Sequence, residues 1–377
     1  MDRALLARRN AALMVLEGSL FWAGLAFLQG DTVVSRFIDI TTGSIALAGL
    51  AATLRSLMPI VGQFIGGMFI HKVRVHLKAL RLLGFLCRPL ILLMVPPLLL
   101  GLEGPAAAWA LLVIYSALFF LDGWVGLFWT EICSRTLPLA KRGEVISLQQ
   151  TFSGLAGLVA GFILSAILGS ALPFKLQYSV IFSICGALLI VDAVVLCLFG
   201  DLPHPSCPEK PAPNPLFYIR SLLTLFRRDR PVREILYARA LYLLTLISAP
   251  INLVFGRTMG GLSDAQLAAL VFMPVIGQTV AGVLWAQVCR RLSYPVMMLM
   301  AEALGVVCAL MNFACFFMAA AGLPVMLPLS ATMALIALNT PAYTGFAQQM
   351  IAIVDEVNRP AYIVMSGLIM APFAFGT

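Results

Sequence analysis

Seven ionisable side chains lie within or at the ends of long apolar runs of the sequence. They are Glu17, Arg55, Arg88, Asp122, Asp192, Arg239 and Glu302. Charged groups inside a membrane are costly, and they mark ion pairs, ion pathways or substrate contacts. A carboxylate that is removed from water can bind and release a proton near neutral pH. We therefore take Glu17 and Asp122 as candidates for proton coupling.

Ion pairing is the competing interpretation of the same charges. Glu17 could instead pair with Arg88 or with a basic loop, and the apolar neighbourhood of Asp122, FFLDGWVG, leaves both interpretations open. Arg55 could bind an anionic substrate or pair with an acid of the first or fourth apolar run. Trp124 could line a substrate pathway or anchor the chain at the membrane interface.

The other reactive residue types form no catalytic or metal-binding pattern. The eight cysteines include no CxxC pair and lie mostly within apolar runs, where they act as small hydrophobes. The three histidines make no HExxH, and the sequence holds no Walker loop, GxSxG or dinucleotide fingerprint. These patterns favour a protein that is not an enzyme, and they predict no cofactor, metal site or catalytic residue.

The composition requires a membrane, rather than water, around this chain. Of the 377 residues, 61% are hydrophobic and 11% are charged, and the mean hydropathy is +0.98. A soluble domain is about 45–50% apolar and about 25% charged. The net charge of +8 falls in short clusters between apolar runs, which argues against a nucleic-acid partner and fits the positive-inside rule.

Eleven apolar runs are long enough to cross a bilayer as helices, since about 20 apolar residues span its hydrocarbon core. The alternating pattern of barrel strands is absent, so the chain is predicted to be an all-α membrane protein. The runs cover residues 11–29, 44–70, 79–100, 106–130, 144–168, 177–199, 234–255, 265–289, 294–318, 324–347 and 361–377. Because the last run is short, we expect an incomplete chain whose full reading frame adds about 30–50 residues with a twelfth span.

Lysines and arginines decide the predicted orientation. With the N-terminus in the cytoplasm, nineteen of them fall on inner segments and three on outer segments. Positive charge is concentrated on the cytoplasmic side of membrane proteins. We therefore expect a multi-pass protein of the cell (inner) membrane with a cytoplasmic N-terminus.

One long polar stretch divides the chain at its midpoint. Its first part, DLPHPSCPEKPAPNP, is too rich in proline to be a membrane helix. Its second part, LFYIRSLLTLFRRDR, is basic and amphipathic and is expected to lie on the anionic inner leaflet. The predicted domains are a six-helix bundle over 1–200, a cytoplasmic linker over 201–233 and a five-helix bundle, lacking its last helix, over 234–377.

A weak internal repeat relates the two predicted bundles. Shifted by 217 positions, Arg142 falls on Arg359 and Asp122 falls on Asn339, although few other residues are identical. The repeat and the midpoint linker predict two bundles that are related by an axis along the membrane normal.

This layout resembles the major facilitator superfamily of secondary transporters. That family often carries Gly-x-x-x-Asp-x-x-Gly-Arg-Arg between helices 2 and 3, with a weaker copy between helices 8 and 9. The two copies here lose the acid, and they read Gly66, Ile70 and Arg74, then Gly282, Ala286, Cys289, Arg290 and Arg291. Two further joints are similar to those of a poorly characterised bacterial branch. Their matching residues are Trp129, Thr130, Glu131, Pro138, Arg142 and Gly143, then Arg359, Pro360 and Tyr362.

The resemblance implies alternating access, in which two bundles rock around a central site. Helices 1, 4, 7 and 10 line the cavity in that family, and Asp192 and Glu302 would lie on peripheral helices. The residues placed on the substrate pathway are Glu17, Asp122, Arg239 and Asn339, with Arg55 and Trp124 as further candidates. The candidates for cytoplasmic gating are Arg142, Gly143, Arg290, Arg291 and Arg359.

The predicted function is secondary active transport of a small solute by a monomer, with protons as the driving ion. The apolar helices favour a small amphipathic solute or a drug-like efflux substrate, and a sugar or an organic ion stays open. The expected partners are the solute, H⁺ and membrane lipids. The alternative on the same fold is a lipid flippase or scramblase.

Overall fold

The computed structural model describes residues 3–29, 33–73, 75–202, 214–245, 252–355 and 358–374, and no strand occurs among them. The first half contains α1 (Arg3–Ala26), α2 (Ser35–Thr42), α3 (Ile45–Phe69), α4 (His76–Cys87), α5 (Val95–Leu99), α6 (Gly104–Thr136), α7 (Leu139–Leu168) and α8 (Phe174–Cys197). The second half contains α9 (Pro215–Arg228), α10 (Arg230–Thr245), α11 (Asn252–Thr258), α12 (Asp264–Arg291), α13 (Tyr294–Ala320), α14 (Met326–Asn339), α15 (Tyr343–Ile353) and α16 (Arg359–Ala374). Short 3-10 segments cover Ile70–Lys72, Arg88–Met94 and Thr340–Ala342.

Seven of the described helical stretches are long and apolar enough to cross a bilayer. They are Ala46–Phe69, His76–Leu99, Gly104–Thr136, Lys141–Leu168, Phe174–Cys197, Phe272–Arg291 and Tyr294–Ala320. The other four predicted spans coincide with α1, with α10 and α11, with α14 and α15, and with α16. The predicted spans over 234–255 and 361–377 lie partly outside the described residues, and the other two are more polar or broken at Thr340–Ala342. The count of eleven spans and the missing twelfth helix remain predictions.

Contacts divide the chain into two compact units. The first unit comprises Met1–Pro138, Ala156–Leu225 and Glu356–Ala371, and the second comprises Leu139–Leu155, Phe226–Asp355 and Pro372–Thr377. Each unit thus includes a helical segment from the other half of the sequence, α16 in the first unit and the start of α7 in the second. The predicted domains are continuous stretches of sequence, whereas these units are defined by contacts. The predicted domain boundaries therefore stay a prediction.

In the first unit, α3 and α6 cross with their backbones in contact. A Cβ atom on Gly62 would collide with the carbonyl oxygen of Phe120, and one on Gly123 would collide with that of Pro59. Glycine at these two positions therefore permits the close crossing. The crossing fixes the rotation of α6, which carries Asp122.

The end of α8 is held by polar side chains of α1 and α4. Arg9 Nη2 donates to the carbonyl of Leu198 at 2.8 Å, and Arg81 Nη2 donates to that of Phe199 at 2.9 Å. Asn10 exchanges two hydrogen bonds with the backbone of Gly200, at 2.8 and 3.0 Å. Carbonyls at a helix C-terminus have no partner within the helix, so these bonds satisfy them. They also fix α1 against α8, two turns before Glu17.

In the second unit, the span predicted over 324–347 is broken rather than continuous. α14 ends at Asn339, a 3-10 segment covers Thr340–Ala342, and α15 follows. Pro341 has no N–H for the helical ladder, which accounts for the break. The Trp285 indole donates to the carbonyl of Leu338 at 2.7 Å, and the Tyr242 hydroxyl donates to that of Asn339 at 2.8 Å. Buried side chains thus satisfy carbonyls at the break.

Candidate functional site

Arg88 lies where the third apolar run changes its helical form. α4 ends at Cys87, and the 3-10 segment Arg88–Met94 continues the chain. Pro89 has no N–H to donate, so the tighter 3-10 pattern replaces the α-helical ladder at this point. Arg88 is only 1% exposed, so a permanent cation is buried inside the first unit.

Three carboxylates from three different helices surround the Arg88 guanidinium. Arg88 Nε lies 2.7 Å from Asp192 Oδ2, and Arg88 Nη1 donates to Asp122 Oδ1 at 2.7 Å. Arg88 Nη2 lies 3.8 Å from Glu17 Oε1. These four side chains, which we call the Arg88 cluster, bring together α1, α6, α8 and the end of α4.

Two aromatic side chains complete the surroundings of the cluster. The guanidinium carbon of Arg88 lies 4.1 Å from the centre of the Phe21 ring, a cation–π contact. The Trp129 indole donates to Glu17 Oε2 at 3.0 Å, so Glu17 is held by a neutral donor as well as by the arginine. Both aromatic residues lie one turn or two from a cluster acid on the same helix.

Exposure distinguishes the members of the Arg88 cluster. Glu17 is 4% exposed and Asp192 is fully buried, whereas the side chain of Asp122 is 21% exposed. With every acid ionised, three negative charges would face one positive charge. Burial of each ion costs several kcal/mol of desolvation. Only a close contact with an opposite charge offsets that cost. Among the three acids, Asp122 is the one with a substantial exposed fraction.

The cluster includes both acids that the sequence proposed for proton coupling. The alternative ion pair between Glu17 and Arg88 is also present, so the two interpretations of Glu17 describe one site. Sequence analysis assigned Asp192 to a peripheral helix and missed its place beside Arg88. The available signal was that Asp192 is the lone charge in its apolar run and that Arg88 lies well inside another apolar run.

The two other pathway candidates of the first unit lie on α3 and α6. Arg55 is partly exposed in the middle of α3, and among the described residues it forms no ion pair with the acids of α1 or α6. Trp124 stacks on Phe69, with ring centres 6.5 Å apart, and a Cβ on Gly66 would lie 3.3 Å from its ring. Trp124 therefore packs α6 against α3.

The pathway candidates of the second unit lie near the break between α14 and α15. Asn339 is fully buried at the end of α14, and its Nδ2 donates to the carbonyl of Ala301 on α13 at 2.9 Å. Arg239 is partly buried on α10, three residues before Tyr242, whose hydroxyl contacts the backbone of Asn339. The internal repeat matches Asn339 to Asp122, so the second unit has a neutral amide where the first unit has an acid.

The first gating candidate, Arg359, is buried in the first unit. Its Nη1 donates to Ser134 Oγ at 2.7 Å and lies 3.8 Å from Glu131 Oε2. Arg359 is 6% exposed and Glu131 is 1% exposed. The start of α16 is therefore tied to the end of α6 by a buried charged contact.

The gating candidates of the second unit lie at the start of α7 and the end of α12. Arg290 Nη2 donates to Glu144 Oε1 at 2.5 Å, and Lys141 Nζ pairs with Glu144 at 2.9 Å. The Gly143 amide donates to the Tyr294 hydroxyl at 3.2 Å, and that hydroxyl donates to the Leu139 carbonyl at 2.6 Å. Arg142 lies in the first turn of α7 and is partly exposed, and Arg291, the last residue of α12, is exposed. Sequence analysis did not identify Tyr294 or Ser134.

A family model of the Major Facilitator Superfamily matches residues 10–374. The chain belongs to the major facilitator superfamily. The match spans nearly the whole sequence and confirms the resemblance on which the fold was predicted. No curated protein sequence matches this member of the superfamily. Members are transporters rather than enzymes, and this one is a multi-pass membrane protein by its family and its apolar helices.

Solved structures show the same fold at low sequence identity. A bacterial homologue of the iron transporter ferroportin, in an outward-facing state, is 13% identical with a TM-score of 0.73, over 97% of this chain and 90% of the other. The proton:xylose symporter XylE is 14% identical with a TM-score of 0.65, over 100% and 88% of the two chains. The E. coli fucose:proton symporter FucP is 15% identical with a TM-score of 0.60, over 98% of each chain. At these identities the likeness extends to the fold and not to the substrate.

Proposed function

We propose that this protein is a secondary active transporter that moves a small solute by alternating access, driven by protons through the Arg88 cluster. The observation that carries the proposal is one buried arginine facing three carboxylates, of which only Asp122 is partly exposed. Such a site holds a proton more readily than it holds a third full negative charge.

Protonation of Asp122 would change the packing between two helices. The ionised carboxylate accepts a 2.7 Å hydrogen bond from Arg88, which ties α6 to the end of α4. A proton on Asp122 removes the Coulomb attraction between the two opposite charges, so it weakens this tie. Arg88 keeps Asp192 and Glu17 as partners in either state, so the cation is never left without a counter-ion. The cluster can therefore couple proton occupancy to helix position.

Two of the similar structures support proton coupling, because XylE and FucP are described as proton symporters of sugars. The proposal specifies a small solute and a proton-coupled cycle. It does not specify the substrate class or the direction of transport, and the efflux predicted from sequence stays a prediction. Among the described residues, nothing favours the lipid flippase or scramblase alternative over this cycle.

Transport and proton movement can be measured together in proteoliposomes that enclose a pH-sensitive dye. A panel of sugars, organic ions and amphipathic compounds would be added outside, with no imposed pH gradient. We expect at least one compound class to move protons with it. In a second experiment with an imposed pH gradient, a protonophore should abolish the accumulation of that compound. Accumulation that persists unchanged with the protonophore, without any dye response, would contradict proton coupling. Movement of headgroup-labelled lipid without any solute flux would contradict solute transport.

A further inference from the structure

Helix α9 lies outside the spanning helices and has three kinds of surface. Its sequence, PLFYIRSLLTLFRR, holds three arginines and no acid. Tyr218 and Leu222 are its buried residues. The remainder of the helix is exposed or partly exposed, including most of its large apolar side chains.

The buried side of α9 is seated on the end of the spanning helix α3. The Tyr218 ring lies 5.5 Å from the Phe64 ring, and a Cβ on Gly67 would lie 2.8 Å from the Tyr218 hydroxyl oxygen. The apolar stretch of α3 ends at Phe69, two residues after Gly67. This contact places α9 at the level where the hydrocarbon core gives way to lipid headgroups.

A separate side of α9 carries an exposed apolar strip. Leu216, Ile219 and Leu223 are spaced by three and four residues, so they share one face of the helix. Their side chains are 71%, 39% and 47% exposed. No described part of the chain packs over this strip, and an apolar patch of this kind is unfavourable in water. Arg220 and Arg227 follow Leu216 and Leu223 by four residues each and so lie along the border of the strip.

We propose that α9 is a binding site for the anionic bilayer surface. The strip of Leu216, Ile219 and Leu223 enters the boundary between headgroups and acyl chains, as in other interfacial helices. Arg220 and Arg227 then face the anionic headgroups, and no acid on the helix repels them. The lipid bilayer fits this surface for two reasons. The contact with α3 holds α9 at the depth of the lipid headgroups, and arginines lie directly beside the apolar strip.

The test places an environment-sensitive fluorescent amino acid at position 216, in the full-length protein, and measures its quenching by nitroxide-labelled lipids. The matched control is position 221, because Ser221 is exposed and lies two residues before Leu223, on the opposite side of the helix at 3.6 residues per turn. The vesicles contain phosphatidylcholine alone or with part of it replaced by phosphatidylglycerol.

We expect quenching at position 216 and not at position 221, stronger with phosphatidylglycerol and weaker at high salt. The variant R220Q/R227Q should lower the ratio of docked to undocked helix by about fivefold for each arginine removed. The charge control R3Q/R8Q, at exposed positions of α1, should leave it unchanged. Equal quenching at 216 and 221 would overturn the proposal. Quenching at 216 that depends neither on phosphatidylglycerol nor on Arg220 and Arg227 would overturn it as well, since the site would then not recognise lipid charge.

Discussion

At the scale of single residues, the Arg88 cluster is held by an imbalance of charge. Arg88 serves three carboxylates that lie at 2.7, 2.7 and 3.8 Å from its nitrogens. Removal of the one cation leaves only mutual repulsion among the buried acids, whereas removal of one acid relieves part of the excess. The members of the cluster should therefore differ strongly in their tolerance of neutral substitution.

Arg88→Gln should destabilise the protein far more than Asp192→Asn. Loss of one partner from a buried ion pair typically costs about 3–5 kcal/mol, because the remaining charge is left without compensation. Asp192→Asn keeps an oxygen near Arg88 and leaves two acids for it, so its cost should be smaller. Thermal unfolding of the purified protein in detergent would measure both changes.

The double variant R88Q/D192N provides the control for this comparison. With two charges removed, it should unfold at a higher temperature than Arg88→Gln alone, since contacting residues in one network are not additive. Equal destabilisation by all three variants would mean that packing, and not charge, holds the site.

Sequence could anticipate part of this cluster. The pair of Glu17 and Arg88 follows from two charges of opposite sign well inside apolar runs, where few other partners are available. The place of Asp192 could not be anticipated, because α8 is apolar on all sides and its sequence does not specify which side faces α4. The bonds from Arg9, Arg81 and Asn10 at the end of α8 set that rotation, and they depend on tertiary contact.

At the scale of elements, close helix crossings position the functional side chains. Gly62 and Gly123 let α3 and α6 touch backbone to backbone in the first unit, and Gly282 approaches Thr151 of α7 in the second. In contrast, a Cβ on Gly157 or Gly161 of α7 would meet open space. The same residue type therefore has two different roles in these helices.

Gly62→Ala should lower stability, and Gly157→Ala should not. Alanine gains about 1 kcal/mol in helix propensity over glycine, and overpacking a close contact costs about 1–3 kcal/mol. The first term acts alone at Gly157, whereas the collision with the Phe120 carbonyl outweighs it at Gly62. Melting temperatures of the two variants should move in opposite directions, and a stabilised Gly62→Ala variant would refute the close crossing.

The two groups of gating candidates should also differ in their contribution to stability. Arg359 is buried against Ser134 and Glu131, and hydrogen bonds to charged groups contribute about 1.5–3 kcal/mol. Arg290 is an exposed partner of Glu144, and exposed pairs contribute about 0–1 kcal/mol.

Arg359→Ala should therefore lower the melting temperature more than Arg290→Ala does. Lys141→Ala, at the other partner of Glu144, serves as the control for an exposed cation. A larger effect of Arg290→Ala than of Arg359→Ala would contradict the burial argument. Control of the inward–outward balance by either arginine remains a prediction.

The sequence predicted the helices but not their interruptions. The run over 324–347 is apolar throughout, so periodicity gives no sign that α14 stops at Asn339, and only Pro341 points to it. The short helix α2 lies between the runs over 11–29 and 44–70, and the apolar runs did not predict it. Such breaks depend on side chains such as Trp285 and Tyr242, which reach the freed carbonyls from other helices.

At the scale of the whole molecule, the chain is a member of a transporter superfamily that sequence alone was sufficient to suggest. Composition fixed the membrane environment, and the family model confirmed the superfamily over residues 10–374. The orientation, the domain boundaries, the number of spans and the monomeric state rest on the sequence and await measurement.

The predicted orientation can be tested with a maleimide that does not cross membranes. Thr224→Cys, on exposed α9, should react only after the cells are permeabilised, and Lys175→Cys, at the start of α8, should react in intact cells. The unmodified chain, whose described cysteines are buried or partly buried, gives the background. Labelling of position 224 in intact cells, or of position 175 only after permeabilisation, would reverse the topology.

The central claim is that Asp122 carries the coupling proton within the Arg88 cluster. The most direct measurement compares concentrative uptake with substrate exchange in proteoliposomes of Asp122→Asn. Glu17→Gln serves as a second neutral variant, and Glu103→Gln, an exposed acid that pairs with Lys175, serves as the control. We predict that Asp122→Asn exchanges substrate across the membrane but no longer accumulates it on a pH gradient, whereas Glu103→Gln does both. Accumulation by Asp122→Asn and by Glu17→Gln at the rate of the unmodified protein would contradict the account.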